Sequence, residues 1–306
     1  MTIITSHPEP VARPSIDAGK CSSCGICATA CASGTLSFAD GKLSINDDTA
    51  FGCIACGHCM MACTENAIYV HGRGISHLDL VELRPLEARA GAEQLGGLML
   101  ARRSMRRFAD RDVPREVLDR VLQMASSAPM GIPPSEVRVL VLCGHDKVRT
   151  FAAEMDQCFR GARAFFTPFM VWLMGLASKP AIRDFMKSFL VPLIDSLVKG
   201  REQGGDPLLY DAPSALLFYG APFCDQQDMA IAATYAMLAA ESLGLGTCMI
   251  GSVSPFLQRN KKLLSKYGIA ADSRLGLVLL IGYPALRYRR GVRRRFERVN
   301  FAQHAE

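Results

Sequence analysis

The chain has 306 residues, 49% of them hydrophobic and 21% charged, with a net charge of +6. That length gives room for about two domains with a sizeable buried core, and the composition excludes a disordered or low-complexity chain. Much of the positive excess sits in one run near the C-terminus, RYRRGVRRRFER, without the aromatic interleaving or recognition-helix pattern of a nucleic-acid surface, so no nucleic acid is expected as a partner.

Residues 1–15 are polar and Pro-rich and read as an N-terminal arm. They lack a basic segment followed by an apolar run, so no secretory leader is expected. Residues 16–72 hold an internal repeat. CSSCGICATAC and CIACGHCMMAC are both C-x2-C-x2-C-x3-C, opening at Cys21 and Cys53, and eight of the twelve cysteines fall within these 43 residues. Disulfides suit neither this crowding nor a chain without a leader, and a zinc ion needs four ligands with no use for the rest of each run. Thiols at this spacing ligate corners of one iron–sulfur cube, while the fourth cysteine of each run reaches across to the other cube. One [4Fe–4S] cluster is therefore assigned to Cys21, Cys24, Cys27 and Cys63, and the other to Cys53, Cys56, Cys59 and Cys31. At these residues the segment resembles the bacterial two-[4Fe–4S] ferredoxin domain. Ala32 and Thr64 stand where such runs usually carry proline, which loosens the turn without removing a ligand. Between the runs, ADGKLSIN predicts a hairpin.

Residues 73–94 read as a linker. A second domain is expected over 95–306, opening on the helical spacing of LGGLMLARRSMRR. Asp112 is expected to cap a following helix, REVLDRVLQMAS, with Pro114 near its first turn. VRVLVLC and ALLFYG read as strands and LGLVLLIGYP as a final buried strand. DMAIAATYAMLAAESLGLG reads as a long helix that stops at Gly244 and Gly246. The scattered Cys143, Cys158, Cys224 and Cys248 read as buried core residues. An insertion over 151–206 is rich in aromatic residues and Met and reads either as a lid over an apolar pocket or as a dimer layer. Phe165, Phe166, Phe169, Trp172 and Met174 are its substrate-wall candidates. Its most apolar run, Phe165–Ala177, is shorter than the ~20 residues a span needs, so no transmembrane segment is expected, and the cysteine usage points to a reducing cytoplasm. GLGTCMIG follows a helix rather than a strand and does not make a dinucleotide fingerprint. The predicted class is α+β, a central sheet wrapped by helices.

ARRSMRRF, SAPMG, AAESLGLGTCMIG and a terminal IGYP followed by arginines occur in that order. Together they resemble the FMN-dependent nitroreductase family over about residues 95–298. The resemblance implies an interlocked homodimer with FMN at its interface. Arg102 and Ser104 would hold the FMN phosphate with Arg103 beside them, and Arg106 would lie near the N1/O2 edge of the ring. Pro129, Met130 and Gly131 would come from the partner subunit. Ile250 and Gly251 would lie against the ring, with the Gly251 backbone N–H near N5, and Arg290 and Arg294 would close on the phosphate. Ile132-Pro133-Pro134-Ser135 replaces the polar residues frequent in the family after this turn, and seven arginines between Arg287 and Arg298 exceed what one phosphate requires.

The combined expectation is an iron–sulfur flavoprotein oxidoreductase, a ferredoxin–nitroreductase fusion. Low-potential electrons from a ferredoxin-type donor would pass through the clusters to FMN and on to an electrophilic small molecule such as a nitroaromatic, quinone or enone. No side chain is expected as a catalytic nucleophile. The alternative is an electron-transfer adaptor in which FMN converts between one- and two-electron carriers for a partner protein.

Overall fold

The computed structural model describes residues 6–9, 11–131 and 135–301. Ile132, Pro133 and Pro134, part of the expected departure from the family pattern, lie outside the described residues, as do residues 1–5 and 10 of the N-terminal arm.

The N-terminal unit runs β1 (Arg13–Ile16), α1 (Ile26–Thr29), β2 (Leu36–Ala39), β3 (Lys42–Ile45), α2 (His58–Ala62) and β4 (Ile68–His71). β1 begins inside the stretch expected to be an arm, and it pairs antiparallel with β4 across the whole unit. β2 and β3 form the expected hairpin, turning at Asp40 and Gly41 with φ of 51° and 73°. Two successive positive φ values match the twist of the flanking strands.

The sequence repeat is also a backbone repeat. Ser23 and Gly25 have φ of 54° and 75°, and Ala55 and Gly57, 32 positions later, have 58° and 75°. These left-handed residues fold each cysteine loop into a tight turn ahead of α1 or α2.

The linker contains short 3₁₀ turns at His77–Asp79 and Leu86–Ala88, the first capped reciprocally by Ser76 and Asp79. The second unit follows with α3 (Ala92–Ala101), α4 (Arg115–Ala125), β5 (Val137–Cys143), α5 (His145–Phe165), α6 (Pro168–Ala177), α7 (Pro180–Phe185), a π-helical turn at Met186–Leu190, and α8 (Val191–Glu202). It closes with β6 (Ser214–Gly220), α9 (Gln226–Ser242), β7 (Gly246–Ile250), α10 (Ser254–Leu257), α11 (Lys261–Lys266) and β8 (Arg274–Gly282). The sheet order is β5-β6-β8-β7 with every neighbouring pair antiparallel.

Strand side chains alternate between faces, and here both faces are buried. Ala215, Leu217, Val278 and Leu280 join a core with α5, α8 and α10, whereas Leu216, Phe218, Leu279 and Ile281 join one with α4 and α9. The result is α+β, a central sheet between two helical layers. α9 lies close because its sheet-facing side is small: Ala232, Ala233, Ala236, Ala239 and Ala240 are all buried. Asp225 caps its start by accepting from Gln227 N–H at 2.8 Å, and Gly244 follows its end at φ 75°.

Asp112 is not the cap of α4. Pro114 holds that position with no side-chain bond. The Asp112 carboxylate instead accepts from the His145 backbone N–H at 3.3 Å and lies 2.7 Å from its ring Nδ1, tying the approach to α4 to the start of α5. Nor is the 151–206 region a separate layer from its first residue. α5 begins earlier, and its Val148, Phe151, Met155 and Phe159 are core residues.

Candidate functional site

The structure gathers the eight repeat cysteines into two groups of four. Cys21, Cys24, Cys27 and Cys63 line one small cavity with Gly25 and Ile68, and Cys31, Cys53, Cys56 and Cys59 line another with Gly57 and Val70. In each case three cysteines come from one run and the fourth from the other, because α1 and α2 pack together and carry the fourth thiol across.

Among the described residues no three His, Cys, Asp or Glu side chains converge tightly enough to hold a single metal ion. The thiols surround a volume instead. Zinc would draw its ligands in to ~2.3 Å, whereas an iron–sulfur cube brings its own bulk, so this donor set fits the cube.

Electrostatics agree. Burial, reinforced by the neighbouring Cys53 and Cys56, pushes the Cys59 thiol up to about 12. Burial also raises Cys27 and Cys53. Cys31 is an exception: burial works to raise it, but the Leu36 N–H and Ser33 hydroxyl outweigh that and lower it. Four thiolates in such a pocket repel one another, and a cationic iron core removes that repulsion.

The arginine segment lies in a slot at one end of the large sheet. Arg102 leaves α3 with extended backbone, and Ser104 then bridges Thr247 of β7, with Met105 N–H donating to the Thr247 carbonyl at 2.7 Å. Phe108 bridges Pro284 just past β8. Gly246 and Gly282 are paired across β7 and β8, and both are glycine for lack of space. A Cβ on Gly246 would lie 2.8 Å from Met105 Cγ, and one on Gly282 2.7 Å from Phe108 Cδ1.

This lacing sorts the arginines. Burial raises the Cys248 thiol, while Arg106, Ser104 and Arg102 oppose the rise, so those three polar groups converge on one buried residue of β7. Arg106 also stands 5.8 Å over the Tyr210 ring and lines a polar cleft with His145, Arg149 and Asp211. Arg103 turns away and bonds the carbonyls of Arg102 (3.1 Å) and Val292 (3.5 Å). That second bond belongs to the C-terminal stretch, where Arg290 and Arg294 are exposed on either side of Gly291, which presses on Leu100 of α3. Ile250 is buried, and Gly251 beyond it faces open space that a Cβ would enter without contact.

Pro129, Met130 and Gly131 lie elsewhere. Gly131 N–H donates to Asp228 at 2.9 Å, near the start of α9, and Met130 accepts from Ser135. Glu241, beside Arg102, is near the end of that helix. At 1.5 Å per residue the two ends are about 20 Å apart. Within one chain the loop and the arginines do not meet.

The substrate-wall candidates also divide. Phe165 and Phe166 line a cleft with Cys158 and Phe256, whereas Phe169 and Trp172 pair with each other on the surface with ring centroids 6.1 Å apart. Sequence reasoning did not single out Cys248, Thr247 and Met105 as parts of the arginine site. Their proximity arises from a parallel bridge between distant segments, which leaves no local pattern.

Residues 99–283 match the nitroreductase family, and residues 13–64 match the 4Fe-4S dicluster domain. The chain belongs to the nitroreductase family. Among solved structures, a BluB-like flavoprotein from Clostridium difficile 630 aligns over 68% of this chain and 99% of its own, at 16% identity and a TM-score of 0.50. A nitroreductase with bound FMN from Bacteroides fragilis NCTC 9343 aligns over 69% and 99%, at 18% identity and a TM-score of 0.49. At these identities the likeness is one of fold. No curated protein sequence matches the chain. Within the chain, the family segment carries the arginine slot, and the dicluster segment carries all eight repeat cysteines.

Proposed function

We propose that the chain is an iron–sulfur flavoprotein oxidoreductase that takes single low-potential electrons from a ferredoxin-type donor and delivers them to an electrophilic small molecule. The observation that carries this reading is the pair of four-thiol cavities built onto a nitroreductase-family domain in the same chain. When bound, the clusters supply one-electron transfer and FMN supplies exchange between one- and two-electron chemistry.

The chain's own residues then have distinct tasks. Cys21, Cys24, Cys27 and Cys63 would hold one cluster, and Cys31, Cys53, Cys56 and Cys59 the other. Arg102 and Ser104 would bind the FMN phosphate, for which clustered guanidinium and hydroxyl donors are suited. Arg106 would place positive charge at the pyrimidine edge of the ring, where negative charge accumulates on reduction. Gly251 leaves room for the ring to approach the β7 backbone.

A second copy of the chain would complete this site. The separation of Pro129–Gly131 from Arg102 along α9 supports it, because the loop of one copy could then face the arginines of the other. So does α3, which has no buried residue and exposes Leu95, Met99 and Leu100. The C-terminal stretch likewise exposes Leu286, Tyr288, Val292 and Phe296. Apolar surface of this extent is what a partner covers.

The test is anaerobic single-turnover spectroscopy of the holoprotein, mixed separately with reduced ferredoxin and with NADH or NADPH. The reading predicts cluster bleaching before flavin bleaching, with nicotinamide inert. Rapid flavin reduction by nicotinamide, with the clusters following, would reverse the direction of flow and favour the adaptor.

A further inference from the structure

A surface helix normally turns its apolar stripe, at spacing i, i+3, i+4, i+7, toward the core. α6 does the reverse. Its stripe is Phe169, Trp172, Leu173 and Leu176, and all four are exposed, Trp172 by 56%. α7 and the π-helical turn repeat the pattern with Ile182, Phe185 and Phe189, likewise exposed. Val171 and Met186 anchor the pair from its inner side. The two helices pack closely, since a Cβ on Gly175 of α6 would lie 3.2 Å from Arg183 Cδ of α7. Phe185 and Phe189 stack at a centroid separation of 5.3 Å, much as Phe169 does with Trp172. Single apolar residues scattered over a surface are ordinary, but a contiguous aromatic patch marks a contact site.

The polar groups and charges of the hairpin say what covers it. Thr167 accepts from the Met170 N–H at 3.3 Å, while Ser178 and Ser188 donate to the Met174 and Asp184 carbonyls at 2.7 and 2.6 Å. The hydroxyls of the hairpin are thus all engaged within it, as a surface that enters hydrocarbon requires. Between residues 165 and 190 the charges are Lys179, Arg183 and Lys187 against the single acid Asp184. Arg259, Lys261 and Lys262 add to this excess, lining a cleft with Phe165 and Phe166 just ahead of α6. All six cations are exposed. An aromatic face bordered by lysine and arginine is complementary to anionic headgroups over acyl chains.

The surfaces argued above for a second copy lie elsewhere. α3, which the C-terminal stretch touches, lies beside α9, whereas α7 leads through the π-helical turn into α8, which packs on α5 at the other face of the sheet.

We propose that the α6–α7 hairpin is a membrane-surface anchor that seats the protein on an anionic bilayer. Its aromatic face lies at the boundary of headgroups and acyl chains, at a depth of roughly 5–10 Å. The lysine and arginine stems extend back to the headgroup phosphates. Among the described residues no helix is long and apolar enough to cross the bilayer, so the contact is with one leaflet.

Trp172 is the chain's single tryptophan, so its fluorescence reports this hairpin alone. The test mixes full-length holoprotein anaerobically with phosphatidylcholine vesicles, with and without phosphatidylglycerol, and reads binding by cosedimentation. Affinity is expected to be about tenfold or more higher with the anionic lipid. Trp172 emission should shift to the blue and be quenched by lipid brominated near the headgroup. Leu173→Glu combined with Phe185→Glu changes two exposed positions outside both cofactor sites. It should weaken vesicle binding about tenfold or more, with FMN and cluster absorption as in wild type. Lys179→Gln combined with Lys187→Gln should remove most of the preference for anionic lipid. Binding that leaves Trp172 emission unchanged, or that survives Leu173→Glu with Phe185→Glu, would assign the contact to the C-terminal arginines and overturn the proposal. Absence of vesicle binding overturns it as well. If Trp172 emission is then already blue in lipid-free protein and moves to the red as the oligomer dissociates on dilution, the occupant of the patch is a second copy.

Discussion

Gly246→Ala tests whether the glycine slot positions the arginine segment. The added methyl would lie 2.8 Å from Met105 Cγ and 2.9 Å from its Cβ. Those atoms are close to the backbone, so rotating the flexible end of Met105 gives no relief. The side chain is 5% exposed. The segment must therefore shift as a unit, straining the Met105 N–H bond to Thr247. Overpacking of this kind costs about 1–3 kcal/mol. For a domain of this size each kcal/mol lowers Tm by ~2–4 °C, so a fall of about 2–12 °C is expected, together with reduced FMN retention. Met105→Ala alone should destabilise by leaving a cavity. Combined with Gly246→Ala, the new methyl occupies part of that space, and the two changes should couple favourably by about 0.5–3 kcal/mol. Thermal unfolding followed by circular dichroism closes the cycle. Additive effects, or a Gly246→Ala protein as stable as wild type with full FMN, would refute the slot as what positions the segment.

Further outcomes follow from the same geometry. Cys21→Ser and Cys53→Ser should each remove about half of the iron, measured on anaerobically purified protein; loss of all iron from either would show that the two cavities do not load separately. Burial pushes the Cys224 thiol up to about 11 from an ordinary 9.0. Because the folded protein keeps that proton while the unfolded chain releases it, stability should fall as pH rises between those values. Cys224→Ala should flatten the fall in a Tm series, and an unchanged slope would exclude this thiol as its source. A chain carrying Arg102→Ala and Ser104→Ala should lose FMN but keep its cluster absorption. Coexpressed with a Gly131→Asp chain that also fails to retain FMN, it should regain partial FMN binding if the site is shared between copies, and none if each chain closes its own.

The sequence conveyed most where the physics is local. The Asp40-Gly41 turn and the end of α9 at Gly244 both follow from neighbouring residues, and each has the expected form in the structure. β1 was missed because Arg13-Pro14-Ser15 carries no strand signal of its own. It is a strand because Ile68–His71, more than fifty residues away, supplies its hydrogen bonds. Asp112 was misread for a related reason. Asp three residues before a helix resembles a cap, but His145 offers it a better partner, and that contact depends on where α5 begins.

The arginine site was legible as a list of residues and illegible as an arrangement. Arg102, Arg103, Ser104 and Arg106 are adjacent in sequence, yet an extended chain sends neighbouring side chains to opposite sides. Arg102, Ser104 and Arg106 therefore converge on Cys248 while Arg103 reaches for the C-terminal stretch. Only the bridge from Ser104 to Thr247 selects which set points inward. The same reasoning separates the family's loop from its arginines. Asp228 and Glu241 lie near opposite ends of the seventeen-residue α9, and a helix of that length is too stiff to bring Gly131 to Arg102. Any ligand that needs both must be held by one chain's slot and another chain's loop. That requirement comes from the rigidity of α9, and no motif in the sequence states it.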